Sequence, residues 1–251
     1  MLPKKIYFAI ILQALFKTTF FMLKYRKNIV DIMSKSKKKV LTTDIVLIDV
    51  IGFSQLEPLE QLEIINFITA TYKKMIEHML ANSNMPLDKL ILGFVSTGDG
   101  FFCILNPRLK GYGTLLGLSF NHLSDQISSR FRYFKGMKIA VHTGDVYEFT
   151  DILGQKNYIG NGLNDCARYL ELKNYAISTV MVSDAAYDSL KKFLSIFKDF
   201  NTLLLEKGFK HSEQYTFRDK HGNEKKGSLV WLRKPGIINP PNMNFNSILY
   251  L

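Results

Sequence analysis

The sequence predicts an α+β fold: a ferredoxin-like βαββαβ core, an added helix–strand–helix, and a C-terminal hairpin. Three observations lead there. Asp44 to Val50 is a nearly unbroken aliphatic run around Asp49, followed by Gly52, which is the pattern of a buried strand delivering a carboxylate to a sheet edge. Leu90 to Ile104 holds two apolar strands about Gly98-Asp99-Gly100, a hairpin signal with a second carboxylate at its turn. Around these runs, apolar residues recur at helical spacing.

Taken in order, the first strand covers Leu41 to Ile51. Pro58 suits the first position of a helix, along which Leu59, Leu62, Ile65, Ile68, Tyr72, Met75, Ile76 and Met79 recur until Asn82-Ser83-Asn84, ahead of Pro86. The Leu90–Ile104 hairpin follows, then a break at Asn106-Pro107 and a helix from Leu115 to Phe134. Met137 to Val141 reads as a strand, turned by His142-Thr143-Gly144-Asp145 into Val146–Phe149. A glycine-rich loop, Gly154 to Gly162, leads to a helix from Leu163 to about Leu172. Thr179 to Ser183 is a short strand, and Asp184 caps a helix to about Phe197. Tyr215–Phe217 and Ser228–Leu232 form the last hairpin across His221-Gly222-Asn223. Strand, helix, hairpin, helix, strand implies one catalytic-size domain at 41–234, with a basic segment at 1–40 and a loosely structured tail at 235–251.

The net charge of +11 resembles that of a nucleic-acid binder until it is divided. Residues 1–40 carry ten Lys or Arg against Asp31 alone, a balance of +9, so the other 211 residues are only +2. A nucleic-acid face on the folded domain is therefore excluded as a reading. The apolar run Ile6–Leu23 is long enough to span a bilayer, but Lys17 falls near its middle, where charge is costly. The basic residues after it suit an anionic membrane surface, so membrane contact through this segment is one expectation, as is translation starting at Met22 or Met33. Cys103 and Cys166 lack ligand spacing and read as core thiols of a cytoplasmic protein.

Asp49 and Asp99 at adjoining strand ends are two hard-oxygen ligands, the usual makings of a Mg²⁺ or Mn²⁺ site. Across 41–232 the chain then resembles the class III nucleotidyl cyclases. Asp49-Val50-Ile51-Gly52-Phe53-Ser54 is similar to that family's first-strand motif, Gly98-Asp99 to its hairpin, and His142-Thr143-Gly144 to its His-x-Gly turn. Gly160 to Arg168 resembles its loop–helix signature, with Leu163 and Cys166 as conservative departures. The resemblance implies the fold that cyclases share with the polymerase palm. It also implies two divalent ions held by Asp49, Asp99 and the carbonyl of Val50, and phosphate contacts at Phe53 and Ser54. Asn164 and Arg168, four apart on one helix face, would act in the transition state. Lys138 would stand where relatives carry a phosphate-binding arginine, and Lys226, with Lys225 and Lys207 as rivals, would be the last phosphate lysine. Two copies of the chain would share each site.

Base choice is where the sequence departs from the resemblance. Adenylate cyclases place a lysine and an aspartate where Val95 and Asn157 stand, and the guanylate-type glutamate is absent too. Val95 cannot hydrogen-bond a base, whereas Asn157 offers both a donor and an acceptor to uracil or cytosine. The chain thus resembles the bacterial pyrimidine cyclases of the Pycsar antiphage system, which implies cyclic UMP or cyclic CMP read by a separate effector. Adenylate cyclase activity, a nucleotide-binding cyclase fold without turnover, and a membrane-tethered interaction module are the other readings.

Overall fold

The computed structural model describes residues 40–80, 86–171, 179–195 and 209–232. The basic N-terminal segment with Met22 and Met33, the expected helix end at Asn82–Asn84, Lys207 and the tail after Pro235 lie outside the described residues.

Strand β1 (Val40–Val50) is central: it pairs antiparallel with β3 (Gly100–Leu105) on one side and, over all eleven of its residues, with β4 (Met137–Thr150) on the other. β2 (Ile91–Ser96) lies on the outer flank of β3. The order β2-β3-β1-β4 is that of a ferredoxin-like core. Beyond β4 come β6 (Val180–Ser183), parallel to it, then β9 (Glu224–Leu232) and β7 (Phe209–His211), with β5 (Lys156–Ile159) on β4 and β8 (Tyr215–Arg218) on β9. This is the mixed α+β architecture read from the sequence.

Helices α1 (Pro58–Leu80), α3 (Tyr112–Arg130) and α5 (Asp184–Ser195) cover one face of the sheet; the four-residue α2 (Leu87–Leu90) leads into β2. Ile64, Ile68, Tyr72 and Ile76 recur every fourth residue of α1 and are buried, whereas Leu59 and Leu62 are exposed. Tyr72 stacks on Phe120 of α3 with ring centroids 4.1 Å apart, and its hydroxyl donates to the Phe120 carbonyl at 3.3 Å. Burying such a ring stabilises by roughly 2–3 kcal/mol, and the hydroxyl loses nothing by it because it keeps a partner. On the opposite face, α4 (Asn161–Tyr169) packs with Tyr158 over Ile45, Leu47, Ala140 and Met181. A Cβ on Gly162 would sit 2.7 Å from Ile45 Cδ1, so glycine lets this helix lie directly on the sheet. Cys103 and Cys166 are buried and free. Among the described residues no helix is long and apolar enough to cross a membrane.

Three local expectations are corrected. His142–Asp145 is not a turn: it pairs residue for residue with Thr42–Ile45, because the long ladder to β1 outweighs the turn propensity of Gly144-Asp145. The expected loop Gly154–Gly162 contains β5, whose Tyr158 is buried and donates its hydroxyl to the Leu92 carbonyl at 3.1 Å. Helix α3 begins at Tyr112 rather than Leu115, despite Gly111 and Gly113, because its cap comes from elsewhere in the chain.

That cap is Asp44. Fully buried in β1, its carboxylate accepts from the N–H groups of Gly111 at 2.6 Å and Gly113 at 2.9 Å, and from the Thr143 hydroxyl at 2.6 Å. Burial raises its pKa, only partly offset by these donors. Asp44→Ala would strip the cap and leave buried N–H groups unpaired, a loss of about 3 kcal/mol. A melting temperature lowered by roughly 6–12 °C is expected, with Asp44→Asn intermediate; an unchanged melting temperature in the alanine variant would contradict this role.

Candidate active site

At the end of β1, Asp49 faces Gly100 across one ladder and Lys138 across the other. A side chain on Gly100 would place a Cβ 1.9 Å from the Ile48 carbonyl oxygen, so only glycine lets β3 come this close. The three-residue turn Thr97–Asp99 is closed by the Thr97 N–H on the Gly100 carbonyl at 3.0 Å, and Gly98 adopts φ +96°. The Val50 N–H donates to the Asp99 carbonyl at 3.0 Å, so main-chain bonds fix the two aspartates relative to one another.

Their carboxyl groups lie within hydrogen-bonding reach. Partial burial, the negative charge of Asp99 and that shared hydrogen bond raise the Asp49 pKa to about 6, against a lowering by the Lys138 ammonium. A carboxylate whose proton affinity is raised by burial and by a second carboxylate beside it marks a locus of unbalanced negative charge, and its chemistry suits a divalent cation. Val50 is buried at the same strand end. Among the described residues no group of three or more His, Cys, Asp or Glu side chains forms a cation cage. Two carboxylates at one strand end are donors of the kind that Mg²⁺ completes with water and substrate phosphates.

Beyond Val50 the chain turns at Gly52 into a short 3₁₀ turn, Phe53–Gln55. Phe53 packs against the helix-covered core and its carbonyl accepts from Gln61 Nε2 at 3.3 Å, while Ser54 is exposed. Lys135 reaches over this turn to Gln55 Oε1 at 2.8 Å. Asp49, Val50, Phe53, Ser54, Asp99 and Lys138 are thus gathered about one end of β1.

Helix α4 carries the second group. Asn164 is exposed. Arg168 donates from Nη1 to Asp219 Oδ2 at 2.6 Å and lies 3.7 Å from Asp165 Oδ1. The ion pair with Asp165 is the bland alternative for a helical arginine, but the shorter bond goes to the β8–β9 turn. Asp219 is 6% exposed; burial alone would raise its pKa, yet the N–H groups of Asn223 and His221, the Asn223 amide and Arg168 together bring it down to about 2. Of the lysines, Lys225 bonds Asp165 Oδ1 at 2.7 Å, whereas Lys226 extends to Glu224 of its own strand at 3.4 Å. Lys225 is thus the one brought to α4. Sequence reasoning anticipated Asp165 beside Arg168 but missed Asp219; the Asp-x-x-Gly-Asn spacing of 219–223 signals a capped turn, but nothing in it points to Arg168.

His142 of the His-x-Gly motif lies under α4, stacked on Tyr169 at 5.7 Å, with Nδ1 2.9 Å from the Ser183 hydroxyl. Burial pushes its pKa down to about 4, so it is neutral near pH 7 and supports α4 rather than supplying charge. Val95 on β2 is partly buried against the apolar cluster that contains Tyr158. Asn157 on β5 accepts the Tyr158 N–H on Oδ1 at 2.8 Å, which leaves its amide NH₂ as the unbonded end.

No family model and no curated protein matches the sequence. Solved structures do match. The guanylyl cyclase Cya2 superposes with a TM-score of 0.54 at 15% identity, over 80% of this chain and 98% of that one. The catalytic core of a rhodopsin-guanylyl cyclase with converted specificity, in complex with ATPalphaS, gives 0.53 at 12% identity, over 79% and 100%. A bacterial light-regulated adenylyl cyclase gives 0.51 at 12%, over 96% and 67%. The chain therefore has the fold of guanylyl and adenylyl cyclase domains, and at such identities the likeness is one of fold.

Proposed function

We propose that this chain is a class III nucleotidyl cyclase converting a pyrimidine nucleoside triphosphate, UTP ahead of CTP, to its 3′,5′-cyclic monophosphate and pyrophosphate. The observation that carries the reading is the Asp49–Asp99 pair, fixed by main-chain bonds and left with excess negative charge. Asp49, Asp99 and the Val50 carbonyl would hold two divalent ions, which when bound supply Lewis acidity at the 3′-oxygen and charge neutralisation at the triphosphate. Phe53 and Ser54 offer main-chain N–H groups to phosphate oxygens, and Lys138 adds positive charge beside Asp49. Asn164 orients the ribose, and Arg168 meets the charge that develops as the 3′-oxygen attacks the α-phosphorus and pyrophosphate leaves. Lys225 or Lys226 closes on the phosphates.

The two groups of residues work in a head-to-tail homodimer, Asp49 and Asp99 of one copy facing Asn164 and Arg168 of the other. Supporting this, the β4–β5 hairpin exposes Phe149, Ile152, Leu153 and Ile159, with Ile152 wholly uncovered. For the base, Asn157 has its oxygen bonded to the Tyr158 N–H and its NH₂ available, a donor suited to a uracil carbonyl. Val95 gives adenine nothing to bond. The product would act as a second messenger in antiphage defence, read by a separate effector.

The four-nucleotide assay tests this: purified protein with Mn²⁺ and each of ATP, GTP, CTP and UTP, products separated by chromatography. Cyclic UMP should dominate. Dominant cyclic AMP would overturn the base assignment, and no cyclic product from any nucleotide would leave the second reading, nucleotide binding without turnover.

A further inference from the structure

We infer that Asp219 is the positioning residue for Arg168, setting where its guanidinium stands when the transition state forms. The inference rests on the cyclase reading. Asp219 is built for such a role. Its Oδ1 accepts from the His221 and Asn223 N–H groups, both at 2.9 Å, and its main chain closes the same turn through Asp219 N–H to the Asn223 carbonyl at 3.0 Å. The turn thus locks the carboxylate before Arg168 arrives, leaving Oδ2 to take Nη1 at 2.6 Å. Only one of the five guanidinium N–H donors is spent there, so the others keep their capacity for phosphate oxygens.

Fastening α4 to the hairpin does not require this pair. The Tyr169 hydroxyl already donates to the Lys226 carbonyl at 3.1 Å, and Lys225 already bonds Asp165 at 2.7 Å. What the Asp219 bond adds is a fixed place for a side chain that otherwise has four rotatable bonds at the surface of a helix. Arginines that serve a transition state are effective when held in place beforehand. The charges balance as well: Arg168 and Lys225 stand against Asp165 and Asp219, so the free chain carries no unpaired cation in this cluster.

The test is a double-mutant cycle on the full chain with Mn²⁺ and its preferred nucleotide. Asp219→Asn keeps an oxygen for the turn N–H groups and removes the charge. It should lower kcat by about 10- to 100-fold with KM within about threefold, since the lost interaction belongs to the transition state. In an Arg168→Ala background the same change should alter kcat by less than about twofold, because Asp219 then has nothing to position. A purely structural carboxylate would instead lower activity by equal factors in both backgrounds, which would overturn the inference; so would an unchanged kcat in the single variant. Thermal melting of each variant separates misfolding from mispositioning, and Asp219→Glu, which restores the charge, should recover part of kcat. If the wild-type chain cyclises no nucleotide at all, the cyclase reading fails and this role falls with it. If the wild type is active and Arg168→Ala keeps only a small measurable residue of that activity, only the role of Asp219 is at stake.

Discussion

Asp49→Asn is expected to abolish cyclase activity, by about a thousandfold or more, while making the protein more stable. Both effects have one origin. The Asp49 carboxyl is half-buried beside a second carboxylate, and its pKa rises to about 6. Relative to the unfolded chain, the native state binds an extra proton between about pH 4 and pH 6, so stability falls as pH rises through that window. The group is too exposed for the full shift to count, and the remaining penalty at neutral pH is on the order of 1 kcal/mol. Asparagine removes the charge but keeps the size, so the melting temperature at pH 7.5 should rise by roughly 2–4 °C. The slope of stability between pH 4 and 6 should flatten. In the wild type, Mn²⁺ should raise the melting temperature at pH 7.5 and hardly at pH 5, where protons compete for the ligand; in the variant it should do little at either. An active Asp49→Asn enzyme would remove the pair from the mechanism.

The second large effect is recovery rather than loss. Asp49→Ala and Arg168→Ala should each fall to about 1% of wild-type activity or less alone, yet mixing them in equal amounts should restore activity. With random exchange of subunits about half the dimers are mixed, and each mixed dimer has one intact site of two, so roughly a quarter of wild-type activity returns. Activity should grow with incubation as subunits exchange. Mixtures that stay inactive after exchange is demonstrated by mass would mean that both groups of residues serve a site within one chain.

The frame of the fold was legible from the sequence because it depends on local pattern. The aliphatic run of β1, the Gly98-Asp99-Gly100 hairpin and the helical spacing of apolar residues along α1 each announce an element without help from the rest of the chain, although Ile64 rather than Leu59 or Leu62 faces the core. What stayed hidden depends on distant partners. The turn at His142–Asp145 was overridden by a ladder to Thr42–Ile45, about a hundred residues away. Asp44 stood in the opening run, and nothing near it in sequence says that it caps a helix starting at Tyr112. The candidate site divides the same way: Asp49 and Asp99 could be named from their strand ends, but the partnership of Arg168 with Asp219 exists only once β8 and β9 fold back on α4. The lysines show the limit most simply. Lys225 and Lys226 are neighbours in sequence, and strand alternation sends one to Asp165 and the other to Glu224.

Under the proposed reading, the positions of Val95 and Asn157 bear on how such a protein can change. Val95 stands on β2, the outer strand of the sheet, and Asn157 on β5, which hangs off the main order. Asp49 belongs to the central strand, hemmed by Gly100 and anchored to α3 through Asp44. If the proposed roles hold, selectivity and reactivity lie on separate parts of the framework. Libraries randomised at 95 and 157 should yield folded enzymes with altered nucleotide preference, whereas β1 should tolerate almost no diversity. A lineage could exchange one messenger for another by altering its periphery, with the chemistry inherited intact.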